Sequence, residues 1–340
     1  MSPASASVEG LNQSRLRAVV TGTGSALPPK ILTNHDLESM VDTSDDWITT
    51  RTGIKERRIA GEGEYLSQYA TQAGAKALEM AGVKGEDLDL IICATVTPDC
   101  PIPSTACTIQ DNLGSRHAAA FDLSAGCSGY IYALAVADRF LSGGGYRHAL
   151  VIGGELLSKY VDWKDRTTCI IFADGAGATV LTAREGTAGI LANSLRSDGS
   201  MADFITVPAG GTRYPTSEAT VRERMHYIRM KGNETFKIAV RSIEDVSREV
   251  ITASGLSASD IDLYIPHQAN RRIIEAVGNR LGLKPEQVFI NIDKVGNTSS
   301  ASIPIALDEA VRAGRVHPGD ILLFAAFGAG LTWGASLLRW

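Results

Sequence analysis

The sequence predicts an α/β protein made of two similar halves, each with helices packed on a mainly parallel sheet. Apolar segments of strand length alternate with helical patterns along the 340 residues, which is typical of mainly parallel sheets covered by helices. A helix end at a glycine, a polar turn and an apolar strand occur at residues 81–92 and again at 254–265. Duplication of one α/β unit is the simplest explanation.

A second pattern recurs in the same register. A helix beginning at Cys127 leads through a glycine-rich turn into a strand at 149–152. In the second half, a helix beginning at Ser299 leads into a strand at 321–324. Chance similarity of common β–α patterns is therefore the weaker explanation of the repeat.

The last strands of the halves also correspond, at residues 175–184 and 331–340. The first half carries extra residues before its last strand, around 156–168. Two halves related by a pseudo-twofold axis bring corresponding helix starts together, so we expect Cys127 and Asn297 to face one another.

The repeat places a boundary near residue 188. We predict an N-terminal half at 16–188, which contains Cys127, and a C-terminal half at 189–340. Residues 1–15 are small and polar, and predict a flexible extension. Residues 191–233, rich in Ser, Gly, Thr and Pro, predict an excursion over the surface.

Composition narrows the functional classes. Hydrophobic residues make up 44% of the chain and charged residues 21%, which is ordinary for a globular protein. The net charge of −5 disfavours binding to nucleic acid. The five cysteines are odd in number and form no Cys-x-x-Cys pair, which disfavours a disulfide framework and a zinc site. We therefore expect a cytoplasmic protein with no metal.

Residues 321–338 contain no charge over a length at which a membrane span is considered. Three glycines interrupt this stretch, at Gly328, Gly330 and Gly334. A hairpin of two buried strands, with its turn at 327–330, is therefore the better interpretation, and we expect no membrane segment.

Cys127 is the strongest candidate for a nucleophile. It follows an apolar segment, precedes a helical pattern, and has small neighbours that permit a tight elbow. A thiol at a helix N-terminus has its thiolate favoured by the helix dipole, so we expect a lowered pKa. Cys93, Cys107 and Cys169 lack this context and are interpreted as buried structural residues.

His267 and Asn297 are the candidate partners of the thiol. His267 ends an apolar strand, where α/β proteins commonly open their active sites. Asn297 precedes the helix that corresponds to that of Cys127, and an asparagine there can cap the helix or hold an oxyanion. Asn270, just after His267, is also explained as a helix cap.

Six motifs together resemble the β-ketoacyl-acyl-carrier-protein synthase III family, the initiating condensing enzymes of bacterial-type fatty acid synthesis. This resemblance implies a thiolase-like fold, in which the two halves form layers in the order α/β/α/β/α. The resemblance covers residues 17–340. It is carried by residues 42–48, 51–54, 125–129, 266–270, 296–300 and 328–330.

The resemblance implies a mechanism. Cys127 takes an acyl group from an acyl-CoA, with acetyl-CoA expected, and malonyl-acyl carrier protein then loses carbon dioxide. His267 and Asn297 hydrogen-bond the malonyl thioester oxygen. The backbone amides of Cys127 and Ala329 form the oxyanion hole, provided that φ is negative at Ala329, which stands where the family often has glycine. No cofactor is needed.

The resemblance also implies binding sites. Those for CoA are Thr43, Trp47, Arg51, Arg166 and Asn270. An acidic carrier protein docks on Lys237, Arg271 and Arg272, although a solvated basic face is the simpler interpretation of these cations. Ile102 and Phe327 line the acyl pocket, with Ile102 supplied by the partner subunit of a homodimer.

Three alternatives stay open. A related acyltransferase of the same fold makes a secondary metabolite or a polyketide starter. A cysteine protease also uses Cys, His and Asn in this order, but the duplicated α/β pattern argues against it. A non-catalytic scaffold protein predicts an unreactive Cys127.

Overall fold

The computed structural model describes residues 16–340, so the extension predicted for residues 1–15 lies outside the described residues. The strands are β1 (Leu16–Ala26), β2 (Ile31–Thr33), β3 (Glu56–Arg58), β4 (Leu90–Ala94), β5 (Ala119–Leu123), β6 (His148–Leu156), β7 (Asp174–Glu185), β8 (Gly189–Ser197), β9 (Ile205–Thr206), β10 (Arg229–Met230), β11 (Leu263–Pro266), β12 (Ile321–Gly328) and β13 (Thr332–Arg339). The helices are α1 (Asn34–Glu38), α2 (Asp45–Thr52), α3 (Leu66–Ala81), α4 (Thr105–Asn112), α5 (Gly129–Ser142), α6 (Arg166–Cys169), α7 (Glu218–Arg222), α8 (Gly232–Ala253), α9 (Arg271–Leu281), α10 (Ile292–Val295) and α11 (Ser302–Arg312).

Two sheets form the framework. The first has the order β1-β7-β6-β4-β5 and the second has the order β8-β13-β12-β11. β6 runs parallel to β4 and β12 runs parallel to β11, whereas β7, β1, β13 and β8 are joined to their neighbours by antiparallel pairing. Four strands of one sheet therefore match the other in order and direction, as the duplication predicts. The boundary at residue 188 stays a prediction, which this distribution of strands supports.

The central layer consists of α5 and α11, which lie between the sheets. Ile131 of α5 and Ile303 of α11 share one buried cluster with Ile92 of β4 and Phe324 of β12. α3 and α4 cover the outer face of the first sheet, and α8 and α9 cover that of the second. Leu323 faces this outer layer because successive strand residues point to opposite faces. The predicted α/β/α/β/α order is confirmed.

The uncharged C-terminal stretch is the expected hairpin. β12 and β13 pair antiparallel from Ile321 opposite Arg339 to Gly328 opposite Thr332. Among residues 16–340, no helix is long and apolar enough to cross a membrane.

The connection before the last strand is longer in the first half than in the second half, as the repeat predicts. β12 and β13 are joined by a short turn, whereas β6 and β7 are separated by residues 157–173, which include α6. The predicted excursion at 191–233 begins later than expected, because residues up to Ser197 belong to β8 and pair with β13. The polar composition of residues 191–233 led to the prediction of a loop where the edge strand β8 in fact ends.

Candidate active site

Cys127 lies at the tip of a tight turn before α5. Residues 126–128 form one 3-10 turn that leads directly into the helix, and Gly126 has a φ of 54°. This left-handed conformation favours glycine because a Cβ would crowd the backbone. The sequence therefore builds an elbow that projects the half-buried Cys127 side chain from a helix start.

The elbow is in main-chain contact with the turn between β12 and β13. A Cβ placed on Gly328 would lie 2.5 Å from the nitrogen of Cys127, and one placed on Gly126 would lie 2.7 Å from the nitrogen of Ala329. Only glycine permits these approaches. The two N–H groups expected to form the oxyanion hole therefore belong to segments in direct contact.

The φ of Ala329 has the negative sign that the predicted role of its N–H requires. In the described part of the chain, the non-glycine residues with positive φ are Arg224 and Ser299, so φ is negative at Ala329. A Cβ is compatible with this backbone, so alanine at this position is consistent with the predicted role of its main-chain N–H.

The pKa expected for Cys127 is wrong. Burial raises the pKa of this thiol to about 11, and the negative charge of Glu155 adds to the effect, although the hydrogen bond with the Ser299 side chain acts in the opposite direction. Loss of water around a thiolate outweighs the favourable helix start. The thiol is therefore protonated at neutral pH.

His267 follows β11 directly and is buried. Its Nδ1 lies 2.7 Å from the hydroxyl of Ser302, which in turn accepts a hydrogen bond from the Gln268 N–H at 3.2 Å. With Nδ1 as the acceptor for this hydroxyl, Nε2 carries the ring hydrogen. Burial lowers the pKa of His267 to about 3, so the ring is neutral and presents Nε2–H as a donor.

Asn297 is held from both halves of the molecule. Its N–H donates to the carbonyl of Ile171, and its own carbonyl accepts from Ala173, which lies just before β7. Its side-chain Oδ1 accepts a 2.8 Å hydrogen bond from the N–H of Ser299. Because this fixes the amide orientation, the Nδ2 group is the donor end.

Residues 297–302 join the three predicted catalytic side chains. Asn297 is bonded to Ser299, the Ser299 side chain hydrogen-bonds the Cys127 sulfur, and Ser302 holds the His267 ring. Cys127 and His267 therefore each have a partner in the segment that Asn297 begins. Their joint catalytic role stays a prediction.

Glu155 is a site residue that the sequence analysis missed. It lies in β6, is fully buried, and accepts hydrogen bonds from Thr97 at 2.6 Å and from Ser299 at 3.2 Å. Burial raises its pKa to about 7, and hydrogen bonds from Thr97, Val96 and two serines limit the rise. An acidic residue within the otherwise apolar strand was the available sequence signal.

Three of the residues predicted to bind CoA form one surface cluster. The guanidinium carbons of Arg51 and Arg166 lie 4.6 Å and 5.3 Å from the centre of the Trp47 ring. Arg166 also donates a 2.7 Å hydrogen bond to the carbonyl of Asp42. The adjacent Thr43 hydroxyl is buried with no partner within residues 16–340.

Asn270 has a structural role that the sequence already suggested. Its Oδ1 accepts from the N–H of Arg272 at the start of α9, and its Nδ2 donates to the carbonyl of Arg51, each at 2.9 Å. Asn270 therefore caps α9 and ties it to the Trp47 cluster. Its contact with CoA stays a prediction.

The residues predicted to dock a carrier protein are exposed at adjoining helices. Lys237 lies in α8, and Arg271 and Arg272 begin α9. The guanidinium of Arg272 lies 5.4 Å from the ring centre of Phe236, so α8 and α9 present these cations on one surface. Arg271 is 4.0 Å from Glu275, a loose and exposed ion pair.

The two predicted acyl-pocket residues lie in different surroundings. Phe327 is buried at the end of β12, with its ring centre 6.1 Å from that of Trp333. Ile102 is 87% exposed on a loop before α4. Within one chain, Ile102 therefore closes no pocket.

Two family models match this chain. That for the 3-oxoacyl-[acyl-carrier-protein] synthase III C terminal matches residues 251–340, and that for 3-oxoacyl-[acyl-carrier-protein] synthase III matches residues 121–199. These segments include Cys127, His267 and Asn297.

Whole-chain relatives agree with the family models. The chain is 56% identical to the β-ketoacyl-[acyl-carrier-protein] synthase III of Caldanaerobacter subterraneus subsp. tengcongensis, over 96% of this chain and 98% of the relative. It is 54% identical to that of Symbiobacterium thermophilum, over 94% and 97%. The crystal structure of 3-oxoacyl-[acyl-carrier-protein] synthase III from Aquifex aeolicus is 51% identical, with a TM-score of 0.88 over 95% of this chain and all of that chain.

The matches cover nearly the whole chain at high identity, and the fold and the grouped side chains agree with them. The chain belongs to the β-ketoacyl-[acyl-carrier-protein] synthase III family, condensing acyltransferases of thiolase-like fold.

Proposed function

We propose that this enzyme initiates fatty acid synthesis by condensing a short acyl-CoA, acetyl-CoA in the simplest case, with malonyl-acyl carrier protein. The observation that carries the proposal is the arrangement around residues 297–302. There Ser302 holds the neutral His267 ring, the Ser299 N–H holds the Asn297 amide, and the Ser299 side chain lies beside the Cys127 thiol.

In the first half-reaction the Cys127 sulfur attacks the carbonyl carbon of the acyl thioester. Negative charge then develops on the carbonyl oxygen, and the N–H groups of Cys127 and Ala329 stabilise it. Such donors are effective because they are held in place before the charge appears. CoA departs as the thiol, and the acyl group stays on Cys127.

In the second half-reaction the malonyl thioester loses carbon dioxide. Its carbonyl oxygen gains enolate character and accepts hydrogen bonds from His267 Nε2 and Asn297 Nδ2. A neutral ring can fill this role because Nδ1 accepts from the Ser302 hydroxyl and the ring hydrogen is therefore on Nε2. The resulting carbanion attacks the acyl group on Cys127, which breaks the C–S bond and releases a 3-ketoacyl carrier protein and the Cys127 thiolate, and the thiolate then takes a proton from water.

The Trp47 cluster and the α8–α9 surface are assigned to different substrates. The indole of Trp47 and the cations Arg51 and Arg166 suit an adenine with its phosphates, with Thr43 and Asn270 beside them. Lys237, Arg271 and Arg272 suit an acidic carrier protein, because electrostatic complementarity steers association.

Paired variants separate these two assignments. Trp47→Ala removes a stacking surface, so the KM for acetyl-CoA should rise roughly tenfold while the KM for malonyl-carrier protein stays unchanged. Arg272→Glu should do the reverse, by a similar factor. Steady-state kinetics with each substrate varied in turn measures both effects. A rise in the same KM for both variants would contradict the assignment.

We propose a homodimer from the edge of the first sheet. β5 is an edge strand there, and the nearby Ile102 is highly exposed. Unpaired edge strands and exposed large apolar residues favour association. In such a dimer, Ile102 of one chain reaches the acyl pocket beside Phe327 of the other.

The five free cysteines support a reducing, cytoplasmic location.

Intact mass spectrometry tests the proposed function. After the enzyme is mixed with acetyl-, isobutyryl- or longer acyl-CoA, we expect one acyl adduct per chain, and added malonyl-carrier protein should remove it as 3-ketoacyl product. Native spectra of the same sample should show two chains. A clear preference for a long or branched acyl group would instead favour a starter enzyme of a specialised pathway, and no adduct with any acyl-CoA would refute the proposal.

A further inference from the structure

Arg57 in β3 is a fully buried arginine that the mechanism above does not use. Among the described residues, no carboxylate lies within ion-pair distance of its guanidinium. Its hydrogen-bond acceptors are neutral oxygens, namely the carbonyls of Leu32 and Ile170 and the side-chain amide of Asn34. Burying a charge without a paired opposite charge costs free energy, and an apolar side chain would fill the same space at lower cost. Packing alone therefore does not account for an arginine here.

The two short hydrogen bonds of Arg57 reach two different chain segments. Its Nη1 donates to Asn34 Oδ1 at 2.8 Å, and its Nη2 donates to the carbonyl of Ile170 at 2.7 Å. A guanidinium is planar, and its N–H groups point in fixed directions. Arg57 therefore fixes Asn34 and Ile170 relative to each other.

Asn34 connects Arg57 to α2. The Asn34 side chain is buried, and its Nδ2 donates to Asp45 Oδ1 at 2.9 Å and to the carbonyl of Ile54 at 2.7 Å. Asp45 begins α2, and Ile54 lies just beyond its end, so Asn34 holds both ends of this helix. α2 carries Trp47 and Arg51 of the surface cluster.

Ile170 connects Arg57 to α6. It directly follows this short helix, which carries Arg166, the third member of the cluster. The Trp47 ring thus lies near one guanidinium from its own helix and one from α6, at 4.6 Å and 5.3 Å. The arrangement requires a fixed separation of α2 and α6. Arg166 links the helices at the surface through the carbonyl of Asp42, and Arg57 links them from the interior.

The stem of Arg57 makes a separate contact with the segment of Asn297. A Cβ placed on Gly296 would lie 3.1 Å from the Cβ of Arg57. This contact does not involve the guanidinium. Asn297 is also held by its own backbone hydrogen bonds with Ile171 and Ala173. A substitution that keeps the stem and removes the guanidinium should therefore leave Asn297 in place.

We propose that Arg57 is a positioning residue for the acyl-CoA site, and that its guanidinium holds α2 and α6 at the separation at which Arg51 and Arg166 both lie over Trp47. This inference rests on the proposed function, which assigns the cluster to the adenine and phosphates of CoA. Side chains that are held in place before the ligand arrives lose less freedom on binding, so the affinity for CoA is higher. Arg57 is fully buried and acts through the cluster.

The test compares wild type and Arg57→Met by calorimetric titration with CoA. Methionine keeps a long unbranched stem but has no N–H groups to join the two segments. The Kd for CoA should rise roughly fivefold, the value of about one cation–π contact. The rate of carbon dioxide release from malonyl-carrier protein should stay within about twofold of wild type. The thermal unfolding midpoint should stay within about 5 °C, because removal of a buried charge offsets the lost hydrogen bonds.

Two further variants separate the guanidinium from the charge and from the strand. Arg57→Lys keeps a buried cation, but one ammonium cannot bridge Asn34 and Ile170 as a planar fork does, so the Kd for CoA should still rise, by roughly threefold. Arg58→Met is the matched control on the same strand. Arg58 points to the opposite face, where its guanidinium is 3.5 Å from the carbonyl of Pro28. Its loss should leave the Kd for CoA unchanged.

The outcomes are distinguishable. If wild type does not bind CoA, or Trp47→Ala binds it as well as wild type does, the proposed assignment of the cluster fails. If Trp47→Ala weakens binding but folded Arg57→Met and Arg57→Lys bind CoA within about twofold of wild type, the positioning role is wrong. A parallel loss of CoA affinity, decarboxylation and thermal stability in Arg57→Met would show a general structural role and would also overturn it. If Arg57→Met does not fold, Arg57→Lys decides by the same criteria.

Discussion

We expect Cys127→Ala to abolish acyl transfer but to leave decarboxylation of malonyl-carrier protein measurable. The thiol is the only group in the proposed mechanism that bonds covalently to the acyl chain, so condensation should fall by on the order of 10⁵-fold. The decarboxylation donors should remain in place, because Ser302 and Ser299 hold His267 and Asn297 without contribution from the sulfur. Intact mass should show no adduct, while release of carbon dioxide continues.

Cys169→Ala is the matched control. Cys169 is also buried, at the end of α6, and its pKa is also raised to about 11 by burial. Its loss should leave acylation unchanged. If Cys127→Ala still forms an adduct that Cys169→Ala lacks, the nucleophile has been misassigned.

Asn297→Asp should keep the acylation of Cys127 but lose most of the decarboxylation activity. The Ser299 N–H would still bond one oxygen of the new carboxylate, but the second oxygen would replace the Nδ2 donor. A negative oxygen beside a developing enolate repels it, and loss of one such donor typically costs roughly 100- to 1,000-fold. Decarboxylation and condensation should fall by this factor, measured as carbon dioxide release and 3-ketoacyl product.

Acylation of Cys127, the first half-reaction, is the internal control for Asn297→Asp. Acylation of Cys127 uses main-chain donors at Cys127 and Ala329, so Asn297→Asp should retain an acyl adduct in the intact mass. A variant that decarboxylates at the wild-type rate would exclude Asn297 from the second half-reaction. Loss of both reactions together, with lowered thermal stability, would indicate disruption of the contact between Asn297 and Ile171.

The sequence predicted the framework because its signals are local and repeated. Strand and helix patterns recur in both halves, and the recurrence fixed which helix starts correspond. The sequence indicates Cys127, His267 and Asn297 because each is a reactive or polar residue at a strand end or a helix start. These residues can lie near one another only when the two halves pack together, and the duplication predicted that packing.

The proton environment could not be predicted in the same way. The raised pKa of Cys127 depends on burial beneath the β12–β13 turn, and this burial arises from chain segments about 200 residues apart in sequence. The partnership of Glu155 with Ser299 is equally distant. No local pattern states which buried acid contacts which hydroxyl, so the hydrogen bond between Glu155 and Ser299 became evident only from the structure.

The contact of Gly126 with Ala329, and of Gly328 with Cys127, has an evolutionary consequence. The groups that meet there are peptide nitrogens, and every residue except proline carries such an N–H. Relatives can therefore change which acyl chains they accept by exchanging side chains elsewhere. The two main-chain N–H groups are kept through such exchanges because they belong to the backbone.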